Sequence, residues 1–518
     1  MVTRRIARRD LLARTGSIVA GVAAAGLLAA CGGGVSGSAS GGQTATASVA
    51  GVPSGPTASA TASQAPKTTA SQAASASASS AAATTSAAAQ APASAGTGPV
   101  FWQWGPTYNN GFATITKNFN ASHKVQVDTP PAPSDYWTKM VTVLAAGNPP
   151  DAFLMNNVSF KIYAHNKTVA DLSSYLQTDK TASANAAGMN PALTDWYKFQ
   201  GKVMGTPWDY SAGVVTYHTD LLKAAGLDVP SSMGKQWDWN ALRNYATKQT
   251  QKQGADTTRA GFYVGVGLEN GYYTFCVANG GSFFNDALDQ CTIASPEAIS
   301  GLEVAVTMVR DGIATTGGTK FWNDENTKYS KTNAGTYASA FIASELAMGF
   351  GGDWVNNWYI QGKLQQWDET IFPYSPTTGK TANTANLRGV CMTAASKKKD
   401  DTWTWMAYLM SPEVQNQIPT LINEVPALQT SAATYALDPA KAGPPDGRKY
   451  LKAELDATVP LPASEWISWN DIVKYAYGKP MTDVFVGALS PSDGMKQMQD
   501  AINGIIAGNK GKTTISPT

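Results

Sequence analysis

Residues Gly351 to Trp358, GGDWVNNW, set an acid, two indoles and two Asn on backbone that a pair of glycines leaves bare. Buried cores rarely mix these residue types. Glycine lets another group approach the backbone closely, indoles offer flat apolar faces, and acids and amides offer hydrogen-bonding groups. One catalytic use of such carboxylates is glycoside hydrolysis, which needs two at a defined separation. Asp209 and Asp353 are the pair to consider, and no motif ties them together. The folded part has no G-x-S-x-G nucleophile elbow. GVGLENG (265–271) has the wrong spacing for a dinucleotide fingerprint. The three His, His123, His165 and His218, are far apart and no C-x-x-C occurs, so neither a zinc nor a haem signature is present and no cofactor or metal is expected.

The elements that must position these residues occupy only part of the 518-residue chain. The start carries Arg4, Arg5, Arg8 and Arg9, then a short Ala- and Gly-rich apolar run from Ile18 to Ala30, which reads as a signal peptide over 1–30 rather than a membrane span. Arg8-Arg9-Asp10-Leu11-Leu12 resembles a twin-arginine export signal. Leu28-Ala29-Ala30-Cys31 resembles a lipobox, in which Cys31 becomes the lipid-bearing first residue; a plain cleaved signal with an incidental Cys is the alternative. Positions 32–98 are almost entirely Ala, Ser, Thr, Gly, Gln and Pro, with one charge, Lys67, and no aromatic residue. Such a segment buries too little apolar surface to offset its ordering entropy. It reads as a tether of roughly 45 Å end to end.

From Pro99 onward the composition changes, and every aromatic residue lies beyond that point. That is ample for two lobes with their own cores. The formal charge of +2 is misleading for this part: taking six basic residues and one acid of the first 98 from totals of 39 and 37 leaves 33 and 36, a net −3. That argues against nucleic acid as a partner, since phosphate binding needs a basic surface. No later apolar run is long enough to span a bilayer. With Cys31 lipidated, Cys276, Cys291 and Cys391 leave an odd number; one arrangement bridges Cys276 to Cys291 and buries Cys391 as a free thiol.

Periodicity predicts strands at 100–104, 124–129, 151–156, 212–218 and 387–395, and helices at 111–119, 134–147, 295–312, 400–410 and 411–418. Ser134 is the expected cap of the second helix, whose face is Tyr136, Met140, Val143 and Leu144. Ser295-Pro296 opens the third, with Ile299, Leu302, Val306 and Val309 as its stripe. Strands alternating with helices imply a parallel α/β sheet.

Taken in order, several blocks resemble the family 1 extracellular solute-binding proteins, the sugar-type receptors of ABC importers such as maltose-binding protein. YWTKMVTVLAAGNPPDAFLMNN ends in an A-A-G-x-x-P-D pattern, and GTPWDYSAGVVTYHTDLLKAAGLDVP carries the family's strand and turn, with His218 where Asn is usual. IASPEAISGLE, FIASELAMGFGGDW and MAYLMSPEVQNQ...EVPALQ follow with the right gaps, so that the resemblance covers nearly all of 100–518. It implies an α/β, two-lobe periplasmic-binding-protein fold with three interlobe crossings, near 206–211, 368–373 and 411–424, and a ligand cleft between the lobes. Lobe 1 would be 99–208 plus 374–412, and lobe 2 would be 212–368 plus 420–518. It also implies a receptor, not an enzyme, that closes on a saccharide and delivers it to the permease subunits of an ABC importer, as a monomer lipid-anchored through Cys31 to the outer face of the cytoplasmic membrane. A secreted glycoside-processing enzyme and a surface scaffold or adhesion lipoprotein are the alternatives.

The resemblance sets GGDW on the cleft wall. Sugars have apolar C–H faces and a rim of hydroxyls, so their sites need flat aromatics beside polar groups that exchange paired hydrogen bonds. Trp354 is expected to stack on a pyranose, with Asp353 beside it, whereas Trp358 belongs to the core. Asn156 and Asn157 fall where the family places a polar contact, Trp208, Asp209 and Ser211 in the first crossing, and Trp466 at a stacking position. Of Trp102 and Trp104, strand alternation sends one into the core and one into the cleft, and Trp104 is taken as the cleft residue. Asp151 is expected to be structural. A phosphorylated solute would need a cation in the cleft, and Arg388 is the basic residue near these motifs.

Overall fold

The structure is a computed structural model that describes residues 97–133, 135–211, 213–254, 256–316, 335–422, 424–437 and 456–517. The expected signal peptide, Cys31 and the tether up to residue 96 lie outside the described residues, as does the expected cap Ser134.

Along the chain come β1 (Phe101–Trp102), α1 (Gly105–Ser122), α2 (Tyr136–Ala145), β2 (Ala152–Asn156) and α3 (Asn157–His165). Short helices fill 173–196 before β3 (Thr206–Tyr210) and β4 (Gly213–His218). Then follow β5 (Gln251–Gln253), β6 (Asp256–Tyr263), α4 (Tyr272–Ala278), α5 (Pro296–Arg310) and β7 (Ala314–Thr315). Next are α6 (Gly335–Ile342), β8 (Leu346–Gly352), α7 (Asn356–Gln361), β9 (Trp367–Thr370), β10 (Asn383–Ala385), β11 (Leu387–Met392) and α8 (Lys399–Leu409). The last are β12 (Val425–Pro426), β13 (Thr458–Pro460), α9 (Trp469–Ala476) and α10 (Pro491–Asn509). Local chemistry explains the ends of these elements. Ser295 caps α5 by accepting from the Ala298 amide at 3.2 Å, Pro296 occupies the first turn, and Gly312 at φ +69 follows the end. The expected strand at 124–129 makes one bridge, Val100 to Asp128, because the Asn120 side chain takes both the amide and the carbonyl of Val127.

Two sheets build two lobes. The first runs β1-β2-β11-β3-β12 and the second β9-β4-β8-β6-β5, with β7 beside β6. Both are mixed rather than parallel: β11 is antiparallel to β2 and β3, and β4 is antiparallel to β8 and β9. The crossings cause this. β3 runs toward the other lobe and β11 returns from it, so the neighbours point opposite ways. The first sheet carries a core on each face, one around Phe101, Phe112, Trp208 and Trp405, the other around Trp102, Phe153 and Tyr163. The second sheet does the same with a large core around Val215, Phe262, Leu302 and Ile502 and a smaller one around Phe341, Tyr359 and Trp367.

The first change of lobe falls between Tyr210 and Gly213, at the end of the 206–211 segment. The other two are displaced. β10 pairs with β13, and residue 382 packs in the second lobe's core, so the return comes at Asn386 rather than 368–373. Val414, Ile418, Val425 and Ala432 pack in the first lobe, so the chain is still in that lobe at Ala432 rather than crossing at 411–424. Among the described residues no helix is long and apolar enough to cross a membrane. Cys276, Cys291 and Cys391 are all buried free thiols, so the Cys276–Cys291 bridge is not formed.

After α10, whose Met495, Met498, Ile502 and Ile506 sit in the second lobe's core, the chain turns back to the first lobe. His165 Nε2 lies 2.8 Å from the Lys512 carbonyl, and Asn166 brackets Ile515, accepting from its amide at 2.9 Å and donating to its carbonyl at 2.7 Å. Ile515 is buried in a first-lobe core.

Candidate functional site

Strand direction brings six of the expected residues to the strand ends where the chain changes lobe. β1, β2, β3, β6 and β8 all end, and β4 and β11 begin, at the edges where the chain changes lobe. The register places Arg388 opposite both Asn156 and Asp209, and Gly352 opposite Gly213. Trp104, Asn156, Asn157, Asp209, Asp353 and Trp354 therefore all follow or close strands at these edges, where α/β proteins build ligand sites.

On the first-lobe side the polar centre is Arg388. It donates from Nε to Asp209 Oδ1 and from Nη2 to Glu424 Oε2, both at 2.5 Å, and from Nη1 to Ser211 Oγ at 2.8 Å. Tyr108 donates to the other Asp209 oxygen at 2.9 Å. All five residues are buried. Burial pushes the Asp209 carboxyl above its usual range, with Arg388 opposing. The same balance, with Asp209 adding repulsion, pushes Glu424 up to about 7. Burial also works against the guanidinium charge, but the two carboxylates hold it well above its ordinary value. Two acids on one cation brace β3, β11 and the entry to β12. Both Asp209 oxygens are thus engaged inside the protein.

On the second-lobe side lies a loop to which sequence reasoning assigned no role in binding. After β6 the chain folds back on itself, with Gly265 bridged to Gly271 and Asn270 at φ 48. A Cβ on Gly271 would press on the carbonyls of Gly265 and Gly267. The fold-back presents Glu269. Its amide donates to the Tyr477 hydroxyl at 3.3 Å. Its carboxylate has no hydrogen bond or ion pair with any described residue, and burial raises its pKa with Arg388 opposing. Tyr337 and Tyr477 lie within its electrostatic reach; burial chiefly, and Glu269 with it, raises both phenols. The Tyr337 ring stacks on Tyr263 at 4.7 Å and 7°, and its buried hydroxyl has no partner among the described residues. Asn270 Oδ1 and Asn386 Oδ1 are likewise buried without partners among the described residues. A Cβ on Gly213 would collide with Asn270 Oδ1, which places that oxygen against the first crossing. The signal for this loop was an acid among glycines after a strand, which carries no motif of its own.

The remaining candidates divide by burial. Trp354 is half-buried, edge-on to Trp358 at 4.9 Å and 86°, and its indole nitrogen covers Gly352 so closely that a Cβ there would collide with it. Asp353 is buried beside it in a single 3-10 turn. Trp104 is half-buried among Tyr108, Tyr136 and Trp137, with ring centroids 5.6–5.8 Å away, while Trp102 is wholly in the core. Trp208 is fully buried against Phe112 at 5.0 Å and presents no open face. Asn156 caps α3 through the Ser159 amide at 3.1 Å. Asn157 is buried and ties the Leu387 amide to the Leu461 carbonyl, at 3.1 and 3.2 Å. Trp466 is half-buried, T-shaped to His165 at 5.0 Å. Asp151 is structural, accepting from the Val100 amide at 2.9 Å and Ser396 Oγ at 2.6 Å.

Comparison with known proteins follows the same lines. The profile of a family described as bacterial extracellular solute-binding protein matches residues 114–444. No curated protein matches the chain in sequence. Among solved structures, the ABC substrate-binding protein Lmo0181 from Listeria monocytogenes, in complex with cycloalternan, is similar at 24% identity and a TM-score of 0.66, over 79% of this chain and 98% of that one. The sugar-binding protein MalE from Xanthomonas citri is similar at 18% and 0.65, over 80% and 98%. The cyclic alpha-maltosyl-1,6-maltose binding protein from Arthrobacter globiformis is similar at 17% and 0.64, over 79% and 99%.

Proposed function

Since this chain belongs to the bacterial extracellular solute-binding proteins, we propose that it is a carbohydrate receptor that closes on a saccharide and hands it to the permease of an ABC importer. The observation that carries this reading is that the strand ends where the chain changes lobe hold both half-buried aromatic rings, Trp104 and Trp354, and polar groups that lack partners among the described residues, the Glu269 carboxylate, Tyr337 hydroxyl and Asn270 and Asn386 oxygens. Buried polar groups are normally satisfied, and a ring of hydroxyls would satisfy these. Sugar-bound relatives of the same fold support it. The engagement of Asp209 by Arg388 and Tyr108 argues against its use as an acid–base catalyst.

The test is calorimetry over a panel of neutral mono- and oligosaccharides, with products examined for cleavage and small-angle scattering on any hit. We expect 1:1 binding without cleavage and a smaller radius of gyration at saturation, because a ligand drives closure through interactions that the closed state makes and the open state lacks. Absence of binding across the panel, or turnover of a saccharide, would overturn the reading. Export and anchoring through Cys31 complete the proposal: Cys31→Ala should move the exported protein from the membrane fraction to the medium, and retention on the membrane would refute the lipid.

A further inference from the structure

The charge around Glu269 says more than that the ligand is polar. Arg388 is the cation that acts on this carboxylate, and its three donor nitrogens are already spent on Asp209, Glu424 and Ser211. Asp209 alone balances the guanidinium, and Glu424 adds negative charge as it ionises, so among the described residues this cluster offers no spare positive charge. On the second-lobe wall Glu269 stands without a counter-ion among the described residues, flanked by the Tyr337 and Tyr477 phenols, whose hydroxyls stay protonated. A ligand that reaches this loop meets a half-buried carboxylate with no counter-ion among the described residues, where a second negative charge is repelled more strongly than in water.

Resting on the reading above as a saccharide receptor, we infer that the cleft selects against negative charge and that Glu269 is the residue imposing the selection. An uncharged saccharide offers paired hydroxyl hydrogens to its two oxygens. A uronate or a sugar phosphate brings a second anion to the same spot, where no described residue offers a free cation to receive it. Glu269 is thus a specificity-determining contact and not merely a hydrogen-bond acceptor.

The experiment takes a neutral saccharide that binds, its uronic acid and its phosphate ester, and measures all three by calorimetry at fixed ionic strength on the full exported chain and on Glu269→Gln and Glu269→Asp. The wild type should bind the neutral sugar at least about 100-fold more tightly than either anion. Glu269→Gln keeps the size and one acceptor; it should lose about 10-fold or more for the neutral sugar, as expected for a charge-assisted hydrogen bond, and narrow the discrimination by at least about 10-fold. Glu269→Asp keeps the charge with a shorter reach, so it should lose neutral affinity yet keep the discrimination. A readout independent of ligand is the apo melting temperature, which Glu269→Gln should raise because a half-buried charge without a counter-ion among the described residues is gone. Equal wild-type affinity for neutral and anionic sugars, or discrimination unchanged in Glu269→Gln, would overturn the inference while leaving the receptor reading intact. Failure of every saccharide to bind would overturn both.

Discussion

Glu424 illustrates how a single buried acid can set the pH response of the hinge. Its folded pKa of about 7 lies above the ordinary 4.5, so the native state holds a proton that the unfolded chain releases. Stability from this group is therefore full below about 4.5 and is lost as pH rises through about 7. Glu424→Gln keeps an acceptor for Arg388 and removes the surplus charge. Its stability advantage over wild type should be near zero at pH 4.5 and grow to as much as about 3 kcal/mol at pH 8, read by urea unfolding across that range. A constant difference would show that the Arg388 cluster does not titrate. Trp354 is the second residue whose role one variant decides. Being half-buried, its truncation should cost little apo stability, whereas a core Trp costs roughly 3–5 kcal/mol. If it stacks on a sugar face, Trp354→Ala should weaken binding by about 10-fold to 100-fold, with calorimetry and apo melting measured on the same sample.

At the scale of elements, the GGDW turn depends on which side chain fills the space the glycines leave. The sequence suggested a ligand approaching the bare backbone. The occupants are the protein's own Tyr337, over Gly351, and Trp354, over Gly352. Gly351→Ala should cost roughly 1–3 kcal/mol through overpacking. Tyr337→Phe removes the hydroxyl that the new methyl strikes, so the double variant should recover much of that loss, a coupling seen in a double-mutant cycle of urea midpoints. The contrast explains what was legible. Alternating apolar runs and Ser-Pro caps give β2, β4, β11 and α5 nearly in place, because these signals are local. Trp208 read as a cleft residue from its position at a crossing, yet strand pleat turns it into the core. Asn120 dissolved the expected strand at 124–129 by a side-chain bond that no pattern announces. Glu269 and Tyr337 stayed invisible because what marks them, a polar group drawn into the fold without a partner among the described residues, exists only once distant segments meet. The later crossings were misplaced for the same reason: which sheet β10 and β12 join is decided by pairing with β13 and β3, not by their own residues.

For the whole molecule, the return of the tail from α10 to the first lobe has a thermodynamic consequence. Residues 512–517 are a short peptide ligand of the first lobe that happens to be covalently carried by the second. Tethering of this kind gives an effective concentration in the millimolar range. Even a peptide affinity of about a millimolar would keep Ile515 seated much of the time, so each excursion of the hinge that separates α3 from α10 competes with rebinding. Ending the chain after Gly511 should widen the distribution of distances between labels on the two lobes, and millimolar free peptide of sequence 512–518 should narrow it again. An unchanged distribution would mean the tail follows the lobes passively. In polymer terms, the molecule is a closed loop rather than two beads on a string: its lobes are joined at the hinge by crossings and again, at a distance, by a bond that can dissociate and re-form without ever diffusing away.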